Sequence, residues 1–259
     1  NITNLELTQA TIEIFCGFIC LMLAVIILMN GHERNSWRLL KWMFFSIALL
    51  FFSEAAAYIY RGNTDEFSRL MTGIANFVVF FLNLVLIRLF MSCMYELLKE
   101  KDVTPGKWYS RIVNACIALS LIILITNLLT KWMYYFDDAN YYHRNTGWYV
   151  YTIINGVCIL TAGVMCIRYR RSVKKTMFAA LLLYVIEPLI AIVVQTFIYG
   201  ISITNLGIAI ALSFMLLAYL LEWSKTKETR QRRALDMVIL FVIMTISMSA
   251  SIFSCILSI

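Results

Sequence analysis

Short polar connectors cut this chain into apolar blocks of roughly 20 residues, and that spacing most constrains its fold. An α-helix rises 1.5 Å per residue, so about 20 apolar residues cross a hydrocarbon core about 30 Å thick. Eight blocks have this character, at residues 8–29, 39–60, 71–94, 111–130, 149–167, 177–199, 203–221 and 238–258. In lipid the backbone must satisfy its own N–H and C=O groups, which blocks of this length do as helices. The expected fold is therefore all-α: a polytopic transmembrane helical bundle with a seven-helix core plus an eighth C-terminal span. Short connectors imply that sequence neighbours pack as antiparallel hairpins. The chain is 61% hydrophobic and 14% charged, against about 25% charged in a soluble domain, which disfavours a soluble core. The first block is too long, and lacks the basic flank, for a cleaved signal peptide. Only Pro105 and Pro188 occur and no low-complexity linker is visible. The expected division is a membrane domain over 1–222, a basic cytoplasmic connector over 223–235 and an eighth transmembrane helix over 236–259.

The formal charge of +7 invites a nucleic-acid partner, but the basic residues flank the spans, where they set topology and meet anionic headgroups. Seventeen of the 22 Lys and Arg residues fall in or beside the first, third, fifth and seventh connectors. They include Arg34, Arg38 and Lys41, Lys99 to Arg111, Arg168 to Lys175, and Lys225 to Arg233. The other side holds Arg61, Arg69, Lys131 and Arg144, while Arg88 lies inside a span. The positive-inside rule then puts the N-terminus outside. Membrane lipid is an expected partner; nucleic acid is not.

The seven cysteines lie mostly within apolar blocks, without a CxxC pair, and read as small buried residues. His32 and His143 are the only histidines and fall on opposite sides. No HExxH, Gly-rich phosphate loop, GxSxG or DxDxDG is present. The expectation is no metal, no cofactor and no enzyme activity, any catalytic output lying in another domain.

Ionisable groups inside a membrane cost about 2.5–3.5 kcal/mol on insertion scales and mark candidate functional positions. Glu13 and Glu54 sit in the outer parts of the first and second blocks, Arg88 in the inner part of the third and Glu187 mid-way along the sixth. Depth separates Glu54 from Arg88 by roughly 13 Å, so Arg88 is expected to snorkel to the inner surface. Glu13, Glu54, Asn76, Asn127, Asn155 and Gln195 share the outer depth. They either converge as a ligand pocket open to the outside or satisfy helix–helix hydrogen bonds singly. Glu187 precedes Pro188, whose missing N–H and ring clash should kink the helix. That kink reads as a packing feature or as a signal-transmitting hinge. The longest external connector, 131–144, is dense in Tyr and Trp. It reads as an interfacial anchor or as an outer lid, with Asp137, Tyr142 and Arg144 added to the candidate pocket.

Two runs carry a resemblance: YYFDDANYYHR at 134–144, and P-x-I-A-x-x-x-Q-x-x-x-Y-G-I-S starting at Pro188. In this order and topology they resemble the N-terminal seven-helix membrane sensor regions of bacterial signalling proteins. Such regions precede GGDEF diguanylate cyclase, histidine kinase or phosphatase domains. The resemblance spans about residues 8–222 and implies a receptor module that binds a small or lipophilic ligand at the outer face. It also implies a homodimer or a cytoplasmic effector, fused or separate. Residues 222–235 look like that family's output linker, but here an eighth apolar block follows. The competing function is a small multi-span transporter or permease that uses its intramembrane carboxylates.

Overall fold

The computed structural model describes residues 4–29, 34–197, 203–223 and residue 239. Seven helices and one β-hairpin follow in chain order: α1 Asn4–Met29, α2 Asn35–Tyr60, α3 Glu66–Lys99, α4 Lys107–Thr130, β1 Tyr134–Phe136, β2 Tyr142–Arg144, α5 Thr146–Arg168, α6 Lys175–Phe197 and α7 Ile203–Trp223. Each of the first seven expected blocks falls within or on a helix. The eighth, 236–259, lies outside the described residues apart from Ile239, as do His32 and the connector 224–235.

Among the described residues, six helices (all but α6) are long and apolar enough to cross a membrane. Their outward faces are apolar: Leu129 is 90% and Ile153 67% exposed, and Phe18, Met22, Leu49, Ile122 and Leu160 are exposed as well. A water-soluble monomer rarely carries so continuous an apolar surface, whereas hydrocarbon covers it without penalty. The protein is a membrane-embedded helical bundle.

The chain divides into two compact units, residues 1–167 and 168–259. In the first, α2 packs closely on both α1 and α3, whereas α3 touches α4 only sparsely. Close approach of α1 and α2 depends on Gly17, where an added Cβ would meet the Phe52 ring at 2.9 Å. At 34 residues, α3 is about 51 Å long and outreaches the hydrocarbon core. Asp65 caps its start, accepting from Ser68 N–H at 2.8 Å. At the opposite end, the Glu100 carboxylate accepts from the hydroxyl and N–H of Ser36 and so caps α2. A second cluster buries Leu124 of α4, Met133 and Tyr134 of the hairpin, and Trp148 and Tyr151 of α5. In the second unit α6 packs on α7. Helix α6 runs through Pro188, and Glu187 packs so tightly on Gly207 of α7 that a Cβ there would overlap its carboxylate.

Candidate functional site

The connector between α4 and α5 folds as a short antiparallel hairpin, with Tyr134 opposite Arg144 and Phe136 opposite Tyr142. Helix α4 ends at Lys131 in the left-handed region (φ 53°), which turns the chain back over the bundle. Asn127, one turn earlier, accepts from the N–H groups of Met133 and Tyr134 at 2.6 and 3.1 Å, pinning β1 to the helix end. The hairpin turn is built by Asp137, whose Oδ1 accepts from Tyr141 N–H at 2.8 Å while Oδ2 lies 2.9 Å from His143 Nε2. The Tyr141 N–H and His143 hold the Asp137 carboxyl below its ordinary value, so it stays ionised at neutral pH.

Asn140 ties this hairpin to the rest of the unit. It adopts φ 62°, a conformation Asn tolerates better than most residues, and is 1% exposed. Its Nδ2 donates to Tyr60 O and Asn63 O, both at 3.0 Å, and to Thr72 Oγ1 at 3.1 Å. Its main-chain oxygen accepts from Gly62 N–H. Three acceptors around one nitrogen fix the orientation of the amide. Among the described residues no donor reaches the buried Oδ1. Arg69 adds a second tie, donating to Thr64 O at 3.1 Å and to Asp138 O at 2.6 Å.

Beneath the hairpin, where α3 and α4 diverge, lies a cavity of about 550 Å³. Its apolar wall includes Leu70, Ile74 and Phe77 of α3 and Leu128 of α4, and its polar rim includes Arg69, Lys131, Asp137 and Asn140. Leu70, Ile74 and Leu128 are more than 45% exposed, so the mouth is edged by apolar side chains. Gly73 lines the cavity, and a Cβ there would meet nothing within 4 Å. Burial pushes the Tyr134 phenol up to about 12, so it faces the cavity as a neutral group. An apolar slot and a cationic pair at the rim together suit an amphiphile.

Of the residues singled out from sequence, Asp137 and Asn127 line this cavity. Tyr142 packs its ring against Tyr134 and Phe136, and Arg144 stacks over Trp148 at 4.1 Å, so both brace the hairpin. Asn76 donates to Thr72 O one turn back along α3. Asn155 joins α5 to α4, accepting from Ser120 Oγ at 3.5 Å, and donates to Tyr151 O. Glu13 is buried between α1 and α2 close enough to Glu54 to interact electrostatically, and no hydrogen bond reaches its Oε2. The Gln195 side chain lies outside the described residues, and Glu187 with Pro188 belongs to the second unit. Among the described residues, Asn76, Asn127 and Asn155 thus serve separate local contacts, while Glu13 and Glu54 interact electrostatically. Arg88 is exposed and donates to Ser92 Oγ, one turn nearer the end of α3.

Sequence reasoning did not pick out Arg69, Gly73 or Phe77, and it gave Asn140 no place in the candidate pocket. An Asn three positions after Asp137 does carry a turn signal; the apolar lining residues carry none that separates them from ordinary lipid-facing positions. Against known proteins the chain matches no family model, no curated protein and no solved structure.

Proposed function

We propose that this chain is the ligand-binding module of a bacterial membrane signalling protein, with its N-terminus outside and an amphiphile as ligand. The supporting observation is the 550 Å³ cavity, whose mouth is edged by apolar side chains and whose polar rim lies under the hairpin. An apolar tail would lie along Ile74, Phe77 and Leu128, and an anionic headgroup would meet Lys131 and Arg69. Because Asn140 and Arg69 tie the hairpin to the α2–α3 connector, occupancy would tighten or release that strap. The likeness of 134–144 and 188–202 to seven-helix sensor regions supports the signalling role, with Glu187 and Pro188 as the hinge toward a cytoplasmic effector.

The test uses a photoactivatable long-chain fatty acid and the membrane-embedded protein. Labelling is expected at α3, α4 and the hairpin, falling about tenfold in Gly73→Trp, which adds an indole to the cavity lining where a Cβ meets nothing within 4 Å. Undiminished labelling of Gly73→Trp, or labelling spread evenly along all helices, would overturn the reading. The buried Glu13, near enough to Glu54 to interact electrostatically, favours a second reading, proton-coupled transport, since carboxyls within membrane spans serve as proton relays. Proton-gradient-dependent uptake into proteoliposomes, abolished by Glu13→Gln, is the outcome expected of a transporter.

A further inference from the structure

At the end of the first unit away from the hairpin, the outward faces of α2, α3 and the start of α4 enclose a second cavity of about 540 Å³. On α2 it is lined by Asn35, Arg38 and Trp42, and on α3 by Arg88, Ser92 and Glu96. Both sets recur at three- and four-residue intervals, so each helix turns one stripe toward the same space. Arg88 stands 11 residues before the last residue of α3, about 16 Å from that helix end. Because α3 outreaches the hydrocarbon core, that distance sets the guanidinium near the headgroup zone, where lipid phosphates lie. Its described hydrogen bond is to the neutral Ser92 hydroxyl, and among the described residues neither Arg88 nor Arg38 has a carboxylate at ion-pair distance. The carboxylates nearby are engaged with the start of α2: Glu96 accepts from Asn35 Nδ2 at 3.2 Å and Glu100 from Ser36. Two guanidiniums and the Ser92 hydroxyl therefore face one cavity whose lining carboxylate, Glu96, lies beyond ion-pair distance of either arginine among the described residues.

A phosphate diester matches that set, since guanidinium groups bind phosphate oxygens through directed, charge-assisted bonds. The surroundings favour a lipid over a soluble phosphate. Trp42 is 53% exposed at the mouth, with Lys41 Nζ 5.1 Å from its ring centroid, a pairing suited to the headgroup zone. One heptad deeper on the same two stripes stand Leu49 of α2 and Phe81 of α3, both exposed. They continue the cavity as an apolar track along which an acyl chain can lie. We propose that this cavity binds an anionic phospholipid, with its phosphate held by Arg88 and Arg38.

Native mass spectrometry of the full chain in mild detergent tests this, with phosphatidylglycerol, phosphatidylcholine or inorganic phosphate added. Phosphatidylglycerol adducts are expected to outnumber phosphatidylcholine adducts about tenfold, and Arg38→Gln/Arg88→Gln is expected to lose that preference. Lys107→Gln/Arg111→Gln removes the same charge outside the cavity lining and is expected to keep it. Equal retention of both lipids, unchanged binding in the arginine double variant, or equal loss in the control overturns the proposal. Thermal stabilisation by inorganic phosphate matching that by phosphatidylglycerol overturns the lipid as source. If the double variant aggregates, Arg38→Gln alone carries the test, being exposed near the start of α2, with about a threefold loss expected.

Discussion

Asn127 holds two buried main-chain N–H groups with one oxygen, at the point where α4 gives way to the hairpin. Truncation to alanine leaves both donors unsatisfied, at about 1–3 kcal/mol each, so Asn127→Ala should lower stability by about 2–6 kcal/mol. Asn127→Asp keeps the acceptor and should cost clearly less; thermal unfolding in detergent separates the two. Asp137 predicts a pH dependence in the same hairpin. Its carboxyl is held below the ordinary 3.8 by the Tyr141 N–H first and His143 next. A group whose folded value is depressed contributes stability above its unfolded value and loses it as pH falls through the folded one. The hairpin should therefore loosen as pH drops below about 3.8, read as faster proteolysis at 137–141 by an acid-active protease. Asp137→Asn should abolish that pH dependence, because its amide does not titrate in this range.

At the scale of elements, the helices were legible because hydrocarbon imposes a single pattern on any chain that crosses it: a long apolar run with polar ends. The hairpin was not. Residues 134–144 carry the aromatic density of an interfacial anchor, and the three-residue strands are too short for alternation to register. What shapes them is non-local: Asn127 from α4, and Tyr60, Asn63 and Thr72 around Asn140. The cavity was hidden for the same reason, since Leu70, Gly73 and Leu128 read as unremarkable lipid-facing positions until α3 and α4 diverge. In the second unit, Glu187 occupies the space that Gly207 leaves on α7. Gly207→Ala should destabilise by about 1–3 kcal/mol through overpacking. In the background of Glu187→Ala the same change should cost far less, because the obstructing carboxylate is gone. Melting temperatures of the two single variants and the double variant measure that coupling, and purely additive shifts would place Glu187 elsewhere.

At the scale of the whole molecule, two ends of the first unit differ in chemistry. One end carries the hairpin, with its tyrosines, Asp137 and Asp138; the other carries the α1–α2 and α3–α4 connectors, with Arg34, Arg38, Lys99, Lys101 and Lys107. The positive-inside rule keeps such basic connectors in the cytoplasm, and the proposed orientation, with the hairpin outside, follows from it. If the hairpin is external, the 550 Å³ cavity samples the outer leaflet and the arginine-lined one the inner leaflet, where anionic lipid meets it. Single cysteines decide this cleanly. Ala139, at the hairpin tip, and Asp102, in the α3–α4 turn, are both exposed, whereas five of the six cysteines among the described residues are buried. In intact cells a membrane-impermeant maleimide should label Ala139→Cys strongly and leave Asp102→Cys at the level of the unsubstituted chain. Permeabilised cells should label both. The reverse pattern would turn the molecule over, placing the amphiphile cavity in the cytoplasmic leaflet and removing the case for a sensor of external ligands.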